Sequence, residues 1–172
     1  MESCRKTSFG CLTVTERNNA IVAIAFTDRP PRGESPEPET PLLKKAFRQL
    51  EEYFTGKRKD FDLPLDPEGT PFMKRVWKRL LEIPYGKTAS YREIAVSIGI
   101  PGGMRAVGLA SHRNPIPVII PCHRVIGSDG GLVGYAGGLS LKRRLLMLEA
   151  EHASPGPENG GHRRKQFPEN NF

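Results

Sequence analysis

Apolar positions fall into β-type runs only near the start of the chain. Phe9–Thr15 and Ala20–Phe26 are rich in β-branched and apolar residues, and Glu16-Arg17-Asn18-Asn19 between them is turn-forming. This pattern predicts a hairpin. Residues 28–40 carry prolines and charge but almost nothing apolar. Burial cannot offset their ordering entropy, so an exposed loop is expected. From Pro41 the period becomes helical. Leu42, Leu43, Ala46, Phe47, Leu50, Tyr53 and Phe54 share one face, with Pro41 opening the helix and Gly56 closing it. Phe61–Leu65 reads as a short strand, and residues 66–69 as a junction.

The second half restarts with Thr70 as an N-cap and Pro71 at the first helical position. Phe72, Met73, Val76, Trp77, Leu80 and Leu81 form the apolar stripe of that helix; Lys74, Arg75, Lys78 and Arg79 face the other way. Ser90-x-x-Glu93 is a capping-box pattern ahead of Ile94, Ala95 and Ile98. A turn at 99–103 leads to a second short helix, Met104–Ser111, rich in small residues and carrying Arg105. Two short helices across such a turn suggest a helix-turn-helix, although any αα-hairpin looks similar. Pro117–Ile120 reads as a short buried strand, followed by Pro121-Cys122-His123-Arg124-Val125 and a glycine-rich stretch at 127–138. Leu139–Glu149 is a final helix with Leu141, Leu145, Leu146 and Leu148 apolar and Lys142, Arg143 and Arg144 basic. Residues 151–172 read as a flexible tail.

Charge separates the halves. Residues 1–69 hold 11 Lys and Arg against 12 Asp and Glu, whereas residues 70–150 hold 12 against 4. A basic second half attracts polyanions, with nucleic acid the default candidate and a plain solvated face the alternative. Three cysteines are too few for a disulfide scaffold, which points to a reducing, intracellular compartment. No signal peptide and no membrane span is expected, since no apolar run approaches the roughly 20 residues a span needs.

Few residues stand out chemically. Cys122 beside His123 pairs a nucleophile with a base type, and basic neighbours such as Arg124 would favour the thiolate. Adjacent side chains on an extended chain point apart, so a buried structural cysteine is the competing reading. Cys4, Cys11, Cys122 and His123 lack metal-ligand spacing, and no phosphate-cradling or dinucleotide motif is present. Glu149 near a helix end meets an unfavourable dipole, which invites a hydrogen-bonding role. By spacing alone, Arg105, Tyr91 and Asn114 read as a solvated charge, a half-buried ring and a turn residue.

Asn114-Pro115-Ile116-Pro117-Val118-Ile119-Ile120-Pro121-Cys122-His123-Arg124-Val125 closely resembles the active-site signature of the O6-alkylguanine-DNA alkyltransferases. Thr70-Pro71-Phe72 through Trp77, Ile83-Pro84-Tyr85-Gly86, Ser90-Tyr91, Arg105-Ala106-Val107-Gly108, Gly134–Gly138 and Leu148-Glu149 resemble the same family in the same order. The resemblance is nearly continuous over 70–149 and looser before it. It implies an α/β (α+β) protein: a small RNase H-like sheet domain at 1–66, and a helical domain at 70–150 with a winged helix-turn-helix. It also implies that Cys122 accepts the alkyl group in one displacement, that His123 acts as base through a water, and that Glu149 orients His123. Asn114 would link the recognition helix to the active-site strand. Tyr91 would rotate the nucleotide and donate to the leaving purine, the backbone of Ala136 would cap the pocket near O6, and Arg105 would fill the gap in the base stack. Tyr135 and Arg124 join this substrate- and DNA-contacting set.

The same resemblance implies direct-reversal repair of double-stranded DNA containing O6-alkylguanine, by a single-use transferase that needs no cofactor. Some relatives bind zinc in the first domain, but residues 1–69 contain no His, so no metal is expected. A monomer in the cytoplasm, or in the nucleus of a eukaryote, follows. Cooperative binding along DNA, O4-alkylthymine as a second substrate and the alkyl size preference stay open. A lesion-sensing module without transfer and a helix-turn-helix transcription factor are the alternatives; the presence of Cys122, and of Cys122, His123 and Glu149 together, argues against them respectively.

Overall fold

The computed structural model describes residues 1–27 and 39–153. Most of the proline-rich 28–40 segment, and the tail from 154 with His162, lie outside the described residues. Strands β1 (Glu2–Thr7), β2 (Gly10–Arg17) and β3 (Ala20–Thr27) form an antiparallel meander. The hairpin expected from the sequence is β2–β3. Asn18 and Asn19 make its two-residue turn, both with positive φ (49° and 59°), the conformation that a tight hairpin needs and that Asn tolerates. β1 has no apolar alternation to announce it: its inward positions are Ser3, which is buried, and Arg5, whose guanidinium lies 4.9 Å from the Phe47 ring. Helix α1 (Pro41–Phe54) covers the inner sheet face, where Leu12, Val14, Ile21 and Ile24 meet Leu43, Ala46, Phe47 and Leu50. Thr40 caps α1, its Oγ1 accepting from Leu43 N at 3.1 Å. Phe61–Leu65 is not a strand. Only Leu65 bridges to Ile21, because Pro64 lacks an N–H and the chain turns away after one pair.

The second half is helical. α2 (Pro71–Leu80) starts at Thr70, whose Oγ1 accepts from Met73 N at 3.2 Å. Trp77 is fully buried and donates its Nε1–H to Ala110 O at 2.8 Å, tying α2 to α4. The helix-turn-helix is α3 (Tyr91–Ser97) and α4 (Met104–His112), and the capping box at Ser90 and Glu93 forms as the sequence predicts. β4 (Ala89–Ser90) and β5 (Val125–Ile126) make a short parallel pair beside it. α5 (Leu139–His152) runs three residues past its expected end, so Glu151 and His152 belong to the helix rather than the tail. His152 Nδ1 lies 2.9 Å from Leu148 O, and its ring fills the space against Gly56.

The halves share one core. Ile24 N donates to Pro115 O at 2.8 Å, and the ring of Tyr53 on α1 packs edge-on against Tyr85. None of the described helices is long and apolar enough to cross a membrane.

Candidate active site

The segment leading to Cys122 is a folded turn, where the sequence suggested a strand. Ile120 N donates back to Ile116 O at 3.0 Å, and Val118 takes φ +75°. A β-branched residue in that region is strained. Burial holds it there: Val118, Ile119 and Ile120 are all buried, and Pro117 and Pro121 interrupt any ladder. Cys122–Arg124 then form a single 3₁₀ turn. Asn114, just past the end of α4, fastens the loop. Its Oδ1 accepts from Ile116 N at 3.0 Å, while its Nδ2 donates to Ile120 O at 2.8 Å and to Cys122 Sγ at 3.1 Å. The end of α4 and the thiol are thus joined through one side chain.

Burial pushes the Cys122 thiol up to about 11, against the smaller opposing effects of the Asn114 hydrogen bond and the Lys142 charge. The sequence suggested a thiolate favoured by basic neighbours. The structure reverses this: burial outweighs the nearby charges, and Arg124 is committed to Glu149. A thiol at about 11 is ionised to only about one part in 10⁴ at neutral pH. A base must therefore remove the proton during any reaction.

His123 is fully buried, and its Nε2 lies 2.9 Å from Glu149 Oε1. An ionised carboxylate only accepts, so Nε2 carries the hydrogen and Nδ1 presents its lone pair. Nδ1 is buried and has no protein partner. Burial lowers the His123 pKa, against the pull of Glu149, and the ring rests neutral. Although burial alone would raise it, Glu149 is held down to about 2 by hydrogen bonds from His123 and Arg124.

Arg124, expected among the DNA contacts, is buried instead. Its Nε donates to both Glu149 oxygens at 3.0 Å, its Nη2 to Oε1 at 2.8 Å, and its Nη1 to Ile83 O at 2.6 Å. A buried carboxylate needs a charge partner, and Arg124 is that partner. Gly86 (φ +73°) brings its N–H to Glu149 Oε2 at 2.9 Å; a Cβ there would lie 2.7 Å from the Ala153 side chain.

This network makes the fold sensitive to acid. Glu149 lies near 2 when folded, against an ordinary 4.5. A depressed carboxyl contributes stability that is fully present above its unfolded value and is lost as pH falls through its folded value. The contribution is on the order of 3 kcal/mol. Chemical-denaturation series between about pH 6 and pH 2 should show it disappearing below about pH 4.5. The same series on Glu149→Gln should be flatter in that window.

The remaining predicted residues surround the thiol or lie on the surface. Tyr91 is half-buried beside Gly108 and donates to Val133 O at 3.1 Å. Tyr135 is buried, and its hydroxyl has no protein partner. Burial raises both hydroxyls, and a thiolate formed at Cys122 would raise them further. Ala136 is exposed in the glycine-rich loop, and Arg105 is exposed in the first turn of α4, apart from the thiol network. Two residues escaped the sequence reading. Lys142, read simply as one of the basic residues of the last helix, is fully buried and donates its Nζ to Val125 O at 2.6 Å and Val133 O at 2.8 Å. It fixes the glycine-rich loop to the turn that bears Cys122. Tyr53, counted as core, donates its hydroxyl to Glu149 Oε1 at 2.5 Å. Cys4 and Cys11 are free and half-buried in the sheet, and among the described residues no three His, Cys, Asp or Glu side chains converge as a metal site would require.

Comparison with known proteins places this geometry. Residues 71–151 match the 6-O-methylguanine DNA methyltransferase DNA binding domain, and residues 2–67 match the ribonuclease-like domain of the same proteins. The chain belongs to the 6-O-methylguanine DNA methyltransferase family. Methylated-DNA–protein-cysteine methyltransferase of Methanosarcina barkeri is 67% identical over 108 residues, which is 63% of this chain and 68% of the relative. The enzyme of the same name from Mycolicibacterium paratuberculosis is 46% identical over 148 residues, 84% of this chain and 88% of the relative. Among solved structures, Mycobacterium tuberculosis O6-methylguanine methyltransferase superposes with a TM-score of 0.79 at 42% identity, covering 90% of this chain and 95% of that one. A DNA complex of the M. tuberculosis protein gives 0.78 at 45% identity, covering 87% and 92%. The mixed α/β methyltransferase fold expected from the sequence is therefore the fold observed.

Proposed function

We propose that this methyltransferase repairs double-stranded DNA by moving an alkyl group from O6 of guanine to Cys122 Sγ, once per molecule. The observation that carries the residue assignment is the buried, unpartnered Nδ1 of His123, next in sequence to a buried neutral thiol and backed by Glu149. A water between them would carry the thiol proton to Nδ1. Sγ then forms its bond to the alkyl carbon as the C–O6 bond breaks, and the electron pair leaves on the purine. Tyr91 turns its hydroxyl from Val133 O to hydrogen-bond the leaving purine anion, which takes a proton from solvent to become guanine, while His123 later returns the thiol proton to solvent. The positive charge developing on His123 is met by Glu149, which is already ionised. No cofactor enters this balance, and the S–C bond has no evident leaving path.

The target base lies inside a stacked duplex and must leave it, at a cost of a few kcal/mol. Arg105, exposed on α4 beside small residues, would fill the gap. Tyr135 and the backbone of Ala136 would border the flipped base. The basic excess of residues 70–150 would supply salt-sensitive attraction to phosphates.

Stoichiometry tests this reading. With a large excess of duplex carrying O6-methylguanine, restored guanine should rise to one equivalent per protein and stop. Continued release beyond one equivalent would contradict single use; selective lesion binding with no restored guanine would favour a sensing module.

A further inference from the structure

The Tyr53 hydroxyl reaches the heart of the relay from the other half of the molecule. Tyr53 lies in the last turn of α1, 96 residues before Glu149, and is fully buried. Its O–H donates to Glu149 Oε1 at 2.5 Å, and its oxygen lies 3.2 Å from His123 Nε2. The ring is held by Phe54 and Tyr85 edge-on, with centroids at 5.8 and 5.9 Å, and by Phe61 at 5.3 Å. The titratable and charged groups that face the hydroxyl are Glu149, His123, Arg124 and Tyr85.

Satisfying Glu149 does not require this contact. Glu149 Oε1 already accepts from His123 and from two Arg124 nitrogens, and Oε2 from Arg124 and Gly86. A phenylalanine at 53 would fill the same aromatic cluster and leave no hydroxyl to desolvate. What the hydroxyl adds is a second point of reference. One hydrogen bond to Glu149 leaves the imidazole free to rock about that contact. The phenol touches both partners and fixes the angle between carboxylate and ring.

We propose that Tyr53 is a positioning residue for alkyl transfer: it holds Glu149 and the His123 ring in register, so that Nδ1 faces the thiol and the amino-terminal domain completes the relay. This rests on the reading of Cys122, His123 and Glu149 given above. The phenol also draws charge from Oε1, which makes His123 a weaker base. Both effects predict a signature that packing alone would not produce.

The test is single-turnover transfer from an O6-methylguanine duplex, followed against pH, with the full chain. Tyr53→Phe should lower the plateau rate about tenfold, short of the roughly 10²–10⁴-fold a general base contributes. Its rising limb should move to higher pH, because His123 becomes a stronger base once the phenol no longer draws charge from Glu149, with affinity for the lesion duplex unchanged. A second variant keeps shape and hydroxyl: 3,5-difluorotyrosine at position 53, a more acidic phenol that draws more charge from Glu149, should move the limb to lower pH. If Tyr53→Phe fails to fold, the fluorinated protein decides alone. Wild-type rate and pH profile in every variant that folds would overturn the role of Tyr53 and leave the Cys122 reading intact. Absence of transfer by the wild-type protein would overturn that reading itself, and this proposal with it.

Discussion

Glu149→Ala is expected to cost about 3–5 kcal/mol of stability and to abolish measurable transfer, because it strands a buried guanidinium. Arg124 gives three hydrogen bonds to Glu149 and a fourth to Ile83 O. Without the carboxylate, a positive charge sits in a nearly dry site beside a neutral His123. Domains of this size are stable by only about 5–15 kcal/mol, so the loss is a large share. Gly86 N and the Tyr53 hydroxyl lose their acceptor as well. Denaturant melts read the stability directly. Glu149→Gln keeps the shape and an acceptor oxygen but not the charge, and should recover part of the stability while recovering little of the rate. Full activity in Glu149→Gln would show that His123 needs no anionic partner.

His123→Ala should slow transfer by about 10²–10⁴-fold while leaving lesion binding nearly intact. The size follows from the state of the thiol. Burial holds Cys122 at about 11, so the spontaneous thiolate fraction near neutrality is about one part in 10⁴. A local base compensates a deficit of that order. The His123 ring is fully buried, so its removal should not disturb the exposed side of α4 that carries Arg105. Raising the pH should partly rescue the variant, since hydroxide then supplies what His123 no longer does. A rate equal to wild type at neutral pH would remove His123 from the mechanism. Single-turnover measurements with a duplex in excess of protein separate this rate effect from binding.

The sequence made legible those parts whose structure follows from local pattern. The Asn-Asn turn, the caps at Thr40 and Thr70, the capping box at Ser90 and the stripes of α1 and α2 each depend on neighbours a few residues apart. β1 lacked such a signal, because Ser3 and Arg5 occupy its inward positions and the strand is stabilised by pairing with β2. The 117–120 run misled for a related reason. A short apolar run between prolines marks burial without marking conformation, and here the buried conformation is a turn with Val118 at positive φ.

The site divides in the same way. Resemblance pointed to Cys122, His123, Glu149 and Asn114, and the structure joins Asn114 to Cys122 and His123 to Glu149 by hydrogen bonds. Arg124 was expected beside the thiol and among the DNA contacts, and Lys142 only as a basic helix residue, because helical and turn periodicity says nothing about a distant carboxylate or a ring of carbonyls. Tyr53 looked like core for the same reason. Its hydroxyl partner lies 96 residues away, beyond any local pattern.

The most direct test of the central claim is peptide mass spectrometry of the protein after reaction with a duplex bearing one O6-methylguanine. One added methyl group on the peptide containing Cys122, and none in a Cys122→Ser protein that still binds the lesion, is the predicted result. A methyl group on any other residue, or an unmodified Cys122 peptide alongside restored guanine, would contradict it.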